Sequence, residues 1–166
     1  RVRSSAASDV YKRQVHVVLD HVQFERNSFC NRNKVRSKTG PVLLTVPVAT
    51  GRQGRETAIC DLEVVNDGNW GRKHFETIRL NYVNASYLPK HQDFLAETVR
   101  DRRYRRLVEV LSATTNYLLE QLSIATPRQH SSSMKLSTHK GGLILEICRQ
   151  LGASTYLSGP FGRDYL

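Results

Sequence analysis

Five places in the 166-residue chain carry side chains whose types and spacing could do chemistry. Asp20 and His21 follow the apolar run Val15-His16-Val17-Val18-Leu19, so a carboxylate and an imidazole stand at the end of a buried strand, placed to act as general base and acid. The competing reading is structural: Asp20 caps the next turn and His21 is half-buried. Gln23, Asn31 and Asn33 are uncharged donors and acceptors suited to sugar hydroxyls, and equally to pinning irregular backbone. Arg32, Lys34, Arg36 and Lys38 recur at period two, which in an extended segment projects all four from one side. Such a stripe fits phosphate as well as it fits an edge strand protected by charge. Lys73 and His74 lie beside Trp70 in the first turns of an expected helix, where an aromatic and cations can hold a nucleotide or sugar ring, although Trp70 also suits a core. The fifth place is Ser158-Gly159-Pro160-Phe161-Gly162-Arg163-Asp164. Its glycines let backbone approach a ligand, and Arg163 offers a fork for phosphate; a polar surface turn with a solvated Arg163-Asp164 pair is the plainer reading.

Composition narrows the classes. No GxxxxGK[ST], GxSxG or HExxH pattern occurs, so P-loop ATPase, hydrolase and metalloprotease readings lack support. Cys30, Cys60 and Cys148 are odd in number, without a CxxC pair or a histidine at ligand spacing, which favours reduced thiols in a cytoplasmic protein and no metal site. No apolar stretch approaches the roughly 18 residues that span a bilayer. The net charge is +10, yet three of those charges fall in residues 1–14. Much of the rest lies in the stripe and in Arg100 to Arg106, which is expected to open a helix as a solvated face. Aromatics scarcely interleave with the basic ribbon, so the stacking platform of a single-strand binder is missing and a nucleic-acid partner is disfavoured.

The elements that must position these residues read as alternating strands and helices. Strands are expected at 15–20, 42–48 and 57–65, with the turn Lys38-Thr39-Gly40-Pro41 joining the basic ribbon to the second of these as a hairpin. Asn69 is a fair N-cap for a helix carrying Trp70, Phe75, Ile78 and Tyr82. A longer helix over about 102–122 aligns Leu107, Leu111, Leu118 and Leu122. The last third reads as strand 123–130, a helix over 138–151 capped by Thr138 and ended by Gly152, and strand 154–157, a right-handed crossover between parallel strands. The expected fold class is α/β: a Rossmann-like layered sheet of mainly parallel strands with an added antiparallel section between about 30 and 65. In such a sheet ligands bind beyond the carboxyl ends of strands.

Several blocks occur together in one order: Leu19-Asp20-His21-Val22-Gln23-Phe24, Ser28-Phe29-Cys30-Asn31-Arg32-Asn33-Lys34, Leu44-Thr45-Val46-Pro47-Val48, Trp70-Gly71-Arg72-Lys73-His74-Phe75, and Tyr156-Leu157-Ser158-Gly159-Pro160 with Gly162-Arg163-Asp164-Tyr165-Leu166. In these the chain resembles the WbqC-like family of bacterial proteins over residues 15 to 166. Members of that family lie in gene clusters for O-antigen and other surface polysaccharides. The resemblance implies a role in polysaccharide biosynthesis and a nucleotide sugar or other phosphate-bearing small molecule as partner; it names no cofactor and no oligomeric state. Acyl or aminoacyl transfer to a nucleotide-activated or lipid-linked sugar is one such role, and a noncatalytic basic module is the alternative. Relatives start with a His-Gln-Pro strand, whereas residues 1–14 here resemble a foreign leader. The expectation is a disordered leader followed by one domain, 15–166, truncated at both ends and only marginally stable. The Arg32 stripe and the Ser158 to Arg163 turn are expected to share a cleft.

Overall fold

The computed structural model describes residues 15–50 and 57–156. Its class is α/β. Strand β1 (His16–Val18) pairs in parallel with β4 (Arg128–His130), His16 facing Arg128 and Val18 facing His130. Strands β2 (Arg32–Ser37) and β3 (Gly40–Thr45) form an antiparallel hairpin across the loop Lys38-Thr39, with Ser37 opposite Gly40. Gly40 has φ +129°, a conformation side chains resist, and so the turn chemistry fixes the register that the alternation predicts. Arg32, Lys34 and Arg36 share one face of β2, while Lys38 lies in the turn. Helices α1 (Trp70–Asn81), α2 (Leu88–Leu95), α3 (Leu107–Gln121) and α4 (Gly141–Gln150) complete the set. A π-helical turn, Ala96–Asp101, continues α2.

Four expectations are corrected. The first concerns 57–65, which is not one strand. Ala58, Glu63 and Val64 each bridge a different segment, and a 3₁₀ turn, Ile59–Asp61, interrupts them. The amides of Ile59 and Cys60 are taken by the carbonyls of Val22 and Asp20, so no single ladder can form. The period-two pattern survives locally, since Leu62 and Val64 are buried and Asp61 and Glu63 are exposed.

The second concerns Arg102 to Arg106, which runs extended rather than opening a helix. The Val64 amide bonds the Arg105 carbonyl, the Leu107 amide bonds that of Leu62, and Tyr104 buries its ring while its hydroxyl donates to Thr98 O at 2.8 Å. These long-range ties outweigh local helix preference until Glu109, accepting from the amides of Arg105 and Arg106, starts α3. The apolar stripe expected along α3 divides accordingly. Leu107 is fully buried and Leu111 packs on the core, but Leu118 and Leu122 are exposed.

The third correction is to the caps. Asn69 and Thr138 do not cap: Asn69 sits in the left-handed region with no side-chain bond, and Thr138 bonds Glu146 instead. Gly152, by contrast, closes α4 as expected. At φ +62° it lets its own amide reach Arg149 O and that of Ala153 reach Cys148 O, which satisfies the last carbonyls. The fourth is to the flanking strands. Of 123–130 only the last three residues form a strand, because Ser123 turns left-handed at the end of α3 and Pro127 has no amide to donate. Residues 154–156 form no strand, and residue 157 lies outside the described residues. The helix α2 went unread although Pro89, at its first turn, marks a helix start.

One core cluster unites these segments: Phe24, Leu62, Val64, Trp70, Val99, Tyr104, Leu107 and Val110. Helix α1 approaches the π-helical turn so closely that a Cβ on Gly71 would lie 2.1 Å from the Val99 carbonyl oxygen. Gly71→Ala is therefore expected to cost roughly 1–3 kcal/mol or more of stability in urea unfolding. Gly142→Ala, where the added methyl meets only Thr138 at 3.4 Å, should leave the midpoint unchanged or raise it. Equal midpoints for the two variants would show that this helix contact is not as tight as described.

Candidate functional site

The carboxyl ends of the two parallel strands meet in a polar cluster. Asp20 lies two residues beyond β1, and His130, Ser131 and Ser132 end β4 and enter the 3₁₀ turn Ser131–Ser133. Asp20 is 3% exposed and is satisfied on every side. Its Oδ2 accepts from His130 Nδ1 and from Ser132 Oγ, both at 2.8 Å; its Oδ1 accepts from the Ser132 amide at 2.8 Å and Ser131 Oγ at 3.1 Å. Burial works to raise the Asp20 carboxyl, but the bonds from Ser132, His130 and Ser131 outweigh it, and the group is held below the usual carboxylate range. It is therefore a fixed anion at neutral pH, unsuited to giving up or taking a proton.

That network fixes one imidazole and holds a second beside it. Because an ionised carboxylate only accepts, His130 must present Nδ1–H to Asp20, which leaves Nε2 of the neutral ring as a base. Ser131 Oγ accepts from the Asp20 amide at 3.1 Å and also lies 2.6 Å from His21 Nδ1, where the His21 tautomer decides which group donates. Asp20 thus sets the His130 ring in the tautomer with Nε2 free. The His130 side chain is 37% exposed and so reachable from solvent. Ser131 is fully buried between the aspartate and His21, which keeps its hydroxyl away from solvent. Nearby Cys60 is no ready nucleophile, because burial and the Asp61 and Asp20 carboxylates raise its thiol, which keeps it protonated. Among the described residues no three of His, Cys, Asp and Glu gather to hold a metal.

The other expected site residues lie elsewhere. Gln23 is exposed and bridges Ala58. Asn31 Nδ2 donates to Val46 O at 2.9 Å, Arg32 Nε to Ser28 O at 2.9 Å, and the Lys34 amide to Asn33 Oδ1 at 2.8 Å, so these polar groups hold the hairpin's entry. His74 Nε2 donates to Thr45 O at 3.1 Å and meets Trp70 edge-on, with ring centroids 5.2 Å apart. Burial lowers the His74 imidazole more than the Thr45 carbonyl raises it, so the ring is a neutral tie between α1 and β3. Lys73 is exposed one residue before it. None of these shares a hydrogen bond with Asp20. Ser158, Gly159, Gly162, Arg163 and Asp164 lie outside the described residues, as does the leader 1–14, and with the former goes the expected shared cleft.

His130, Ser131 and Ser132 are the members of this candidate site that sequence reasoning passed over. His130 stood there as the end of the strand expected over 123–130 and the serines as the residues after it, where the same rule that drew attention to Asp20 applies.

A family model for the WbqC-like proteins matches residues 7–166. The chain belongs to the WbqC-like protein family. Its matched span takes in the Asp20 cluster and part of the expected leader. This WbqC-like chain is also similar to the uncharacterized protein Rv1507c of Mycobacterium tuberculosis, at 25% identity over 150 residues. That alignment covers 90% of the chain and 64% of the relative's length. No solved structure is a significant match. No helix among the described residues is long and apolar enough to cross a membrane.

The lowered Asp20 value sets a pH dependence. Its contribution to stability is fully present above the ordinary unfolded carboxylate pKa, about 3.9, and is lost as pH falls through the lower folded value. Asp20→Asn should unfold more easily at neutral pH, with about 1–3 kcal/mol lost for each buried donor left unanswered. Its stability should also fall less steeply than the parent's below about pH 4. Parallel acid limbs in urea titrations of the two proteins would contradict the assignment.

Proposed function

We propose that this WbqC-like protein acts in surface-polysaccharide biosynthesis as a transferase, moving an acyl or aminoacyl group onto a nucleotide-activated or lipid-linked sugar. One observation carries the reading: the buried Asp20 carboxylate accepts from Nδ1 of a solvent-reachable His130, which leaves Nε2 as the basic nitrogen of the neutral ring. Acyl transfer to a sugar hydroxyl or amine requires such a group. As the sugar oxygen or nitrogen forms its bond to the acyl carbonyl carbon, His130 Nε2 takes the proton. The bond from carbon to the leaving group of the activated acyl donor then breaks, and the imidazolium returns the proton to that leaving group. Asp20 stabilises the imidazolium without itself being protonated. His21, whose Nδ1 lies 2.6 Å from Ser131 Oγ beside the same carboxylate, is placed to assist a second proton transfer.

The gene neighbourhood of the family supports the substrate class, and the location of the cluster at the ends of parallel strands fits a ligand site. The test is to incubate a full-length relative with a panel of nucleotide sugars and acyl thioesters, following acyl-sugar product by mass spectrometry. His130→Gln, at the matching position, should lower kcat by about 10²–10⁴-fold while leaving the fold intact. Unchanged turnover in that variant, or tight duplex binding with no transfer to any sugar, would sink the proposal.

A further inference from the structure

A second site, unrelated to the Asp20 cluster, is formed where the extended Arg102 to Arg106 segment crosses the start of α1. Arg72, Arg100, Arg102 and Arg103 line one small cleft of about 40 Å³, with Trp70 and Val99 in its walls and no carboxylate among its lining residues. Two structural facts bring these side chains together. The missing Cβ of Gly71 lets the Val99–Arg100 backbone approach α1, and the burial of Tyr104 holds the chain extended so that Arg102 and Arg103 return to the same place. Of the four, Arg100 has an acidic partner, Asp101 at 2.7 Å; the ion pairs among the described residues include none to Arg72, Arg102 or Arg103. The guanidinium of Arg102 is set over the Tyr104 ring at 5.0 Å, and Arg103 Nη1 donates to Asn66 O at 2.7 Å. Their heads are thus partly fixed while most of their donors stay unused.

Cations gathered without counter-charge repel one another, and an anion that bridges them relieves that repulsion. Planar guanidinium forks match the oxygens of a phosphoryl group. The cleft shares Asn66 and Arg103 with an open groove of about 390 Å³ that adds Arg105 and one carboxylate, Glu63, so the uncharged part of a ligand larger than one phosphoryl group has somewhere to extend. We propose that this arginine-lined cleft is a phosphoryl-binding site that takes the phosphate or diphosphate end of a small-molecule substrate. The identity of that molecule as an activated sugar rests on the transferase reading; the phosphoryl chemistry does not.

The experiment is calorimetric titration of the chain with inorganic pyrophosphate and with uridine diphosphate, repeated on two cleft variants, a control variant and Asp20→Asn. Arg72→Glu and Arg102→Gln remove lining cations that have no acidic partner, and Lys34→Glu removes an equal charge on the hairpin as a control. Thermal unfolding of each variant establishes that it is folded. Both ligands should bind the parent, and each cleft variant should weaken them about 10- to 100-fold, the effect of losing one charge-assisted hydrogen bond. Lys34→Glu should change affinity less than twofold, and Asp20→Asn should bind pyrophosphate like the parent even where transfer is abolished, which separates this site from the proposed reaction. The inference is overturned if pyrophosphate fails to bind the parent. It is equally overturned if Lys34→Glu weakens binding as much as the cleft variants do, or if a DNA duplex binds and pyrophosphate does not displace it.

Discussion

A carboxylate removed from water must have its lone pairs answered by donors, or the fold pays several kcal/mol for its charge. Asp20 is that group here, and it is answered by an amide, two hydroxyls and an imidazole, all drawn from His130, Ser131 and Ser132. Because β1 and β4 are each only three residues long, their parallel ladder alone is a weak link. The carboxylate locks the two strand ends together just beyond that ladder. In doing so it converts a minimal sheet into a rigid platform whose exposed feature is an oriented imidazole.

The same residue reaches the hydrophobic core through its backbone. The Cys60 amide donates to the Asp20 carbonyl at 2.8 Å, two residues before Leu62. Leu62 and Leu107 are fully buried, and the hydrogen bond between them ties the 3₁₀ segment to the start of α3. Asp61 pairs with Arg106 at 3.6 Å on the exposed side of that crossing, a contact that adds little by itself. Site and core therefore share one strip of backbone, residues 58–64. That strip also explains why Arg102 to Arg106 does not become the first turns of a helix: the Arg105 carbonyl is committed to the Val64 amide, and the Leu107 amide just beyond it to the Leu62 carbonyl.

What could be read in the sequence was local. The β2–β3 hairpin follows from a glycine turn between two alternating runs, α1 from the spacing of Trp70 and Phe75, and the end of α4 from Gly152. Asp20 and His21 were legible as a pair for the same reason, being adjacent after an apolar run. Their partners were not, because His130, Ser131 and Ser132 stand about 110 positions away and only chain reversal brings them near. The extended arginine segment was hidden likewise, since its conformation is set by Thr98, Leu62 and Val64 rather than by its own composition. Where sequence reasoning placed a strand over 57–65 it missed the change of partner from Ala58 to Glu63 to Val64. Period alone reports which face is buried and is silent about what lies beside the backbone.

The central claim is that Asp20 fixes the tautomer of His130, and nuclear magnetic resonance tests it directly. Long-range nitrogen–proton correlation of the imidazoles would be recorded at about pH 9, well above the ordinary histidine range. The expected result is a His130 ring protonated at Nδ1 with Nε2 bare, changing toward a tautomer mixture in Asp20→Asn. A His130 ring protonated at Nε2 in the parent protein would contradict the account, because the base it assigns to the site would then carry a proton.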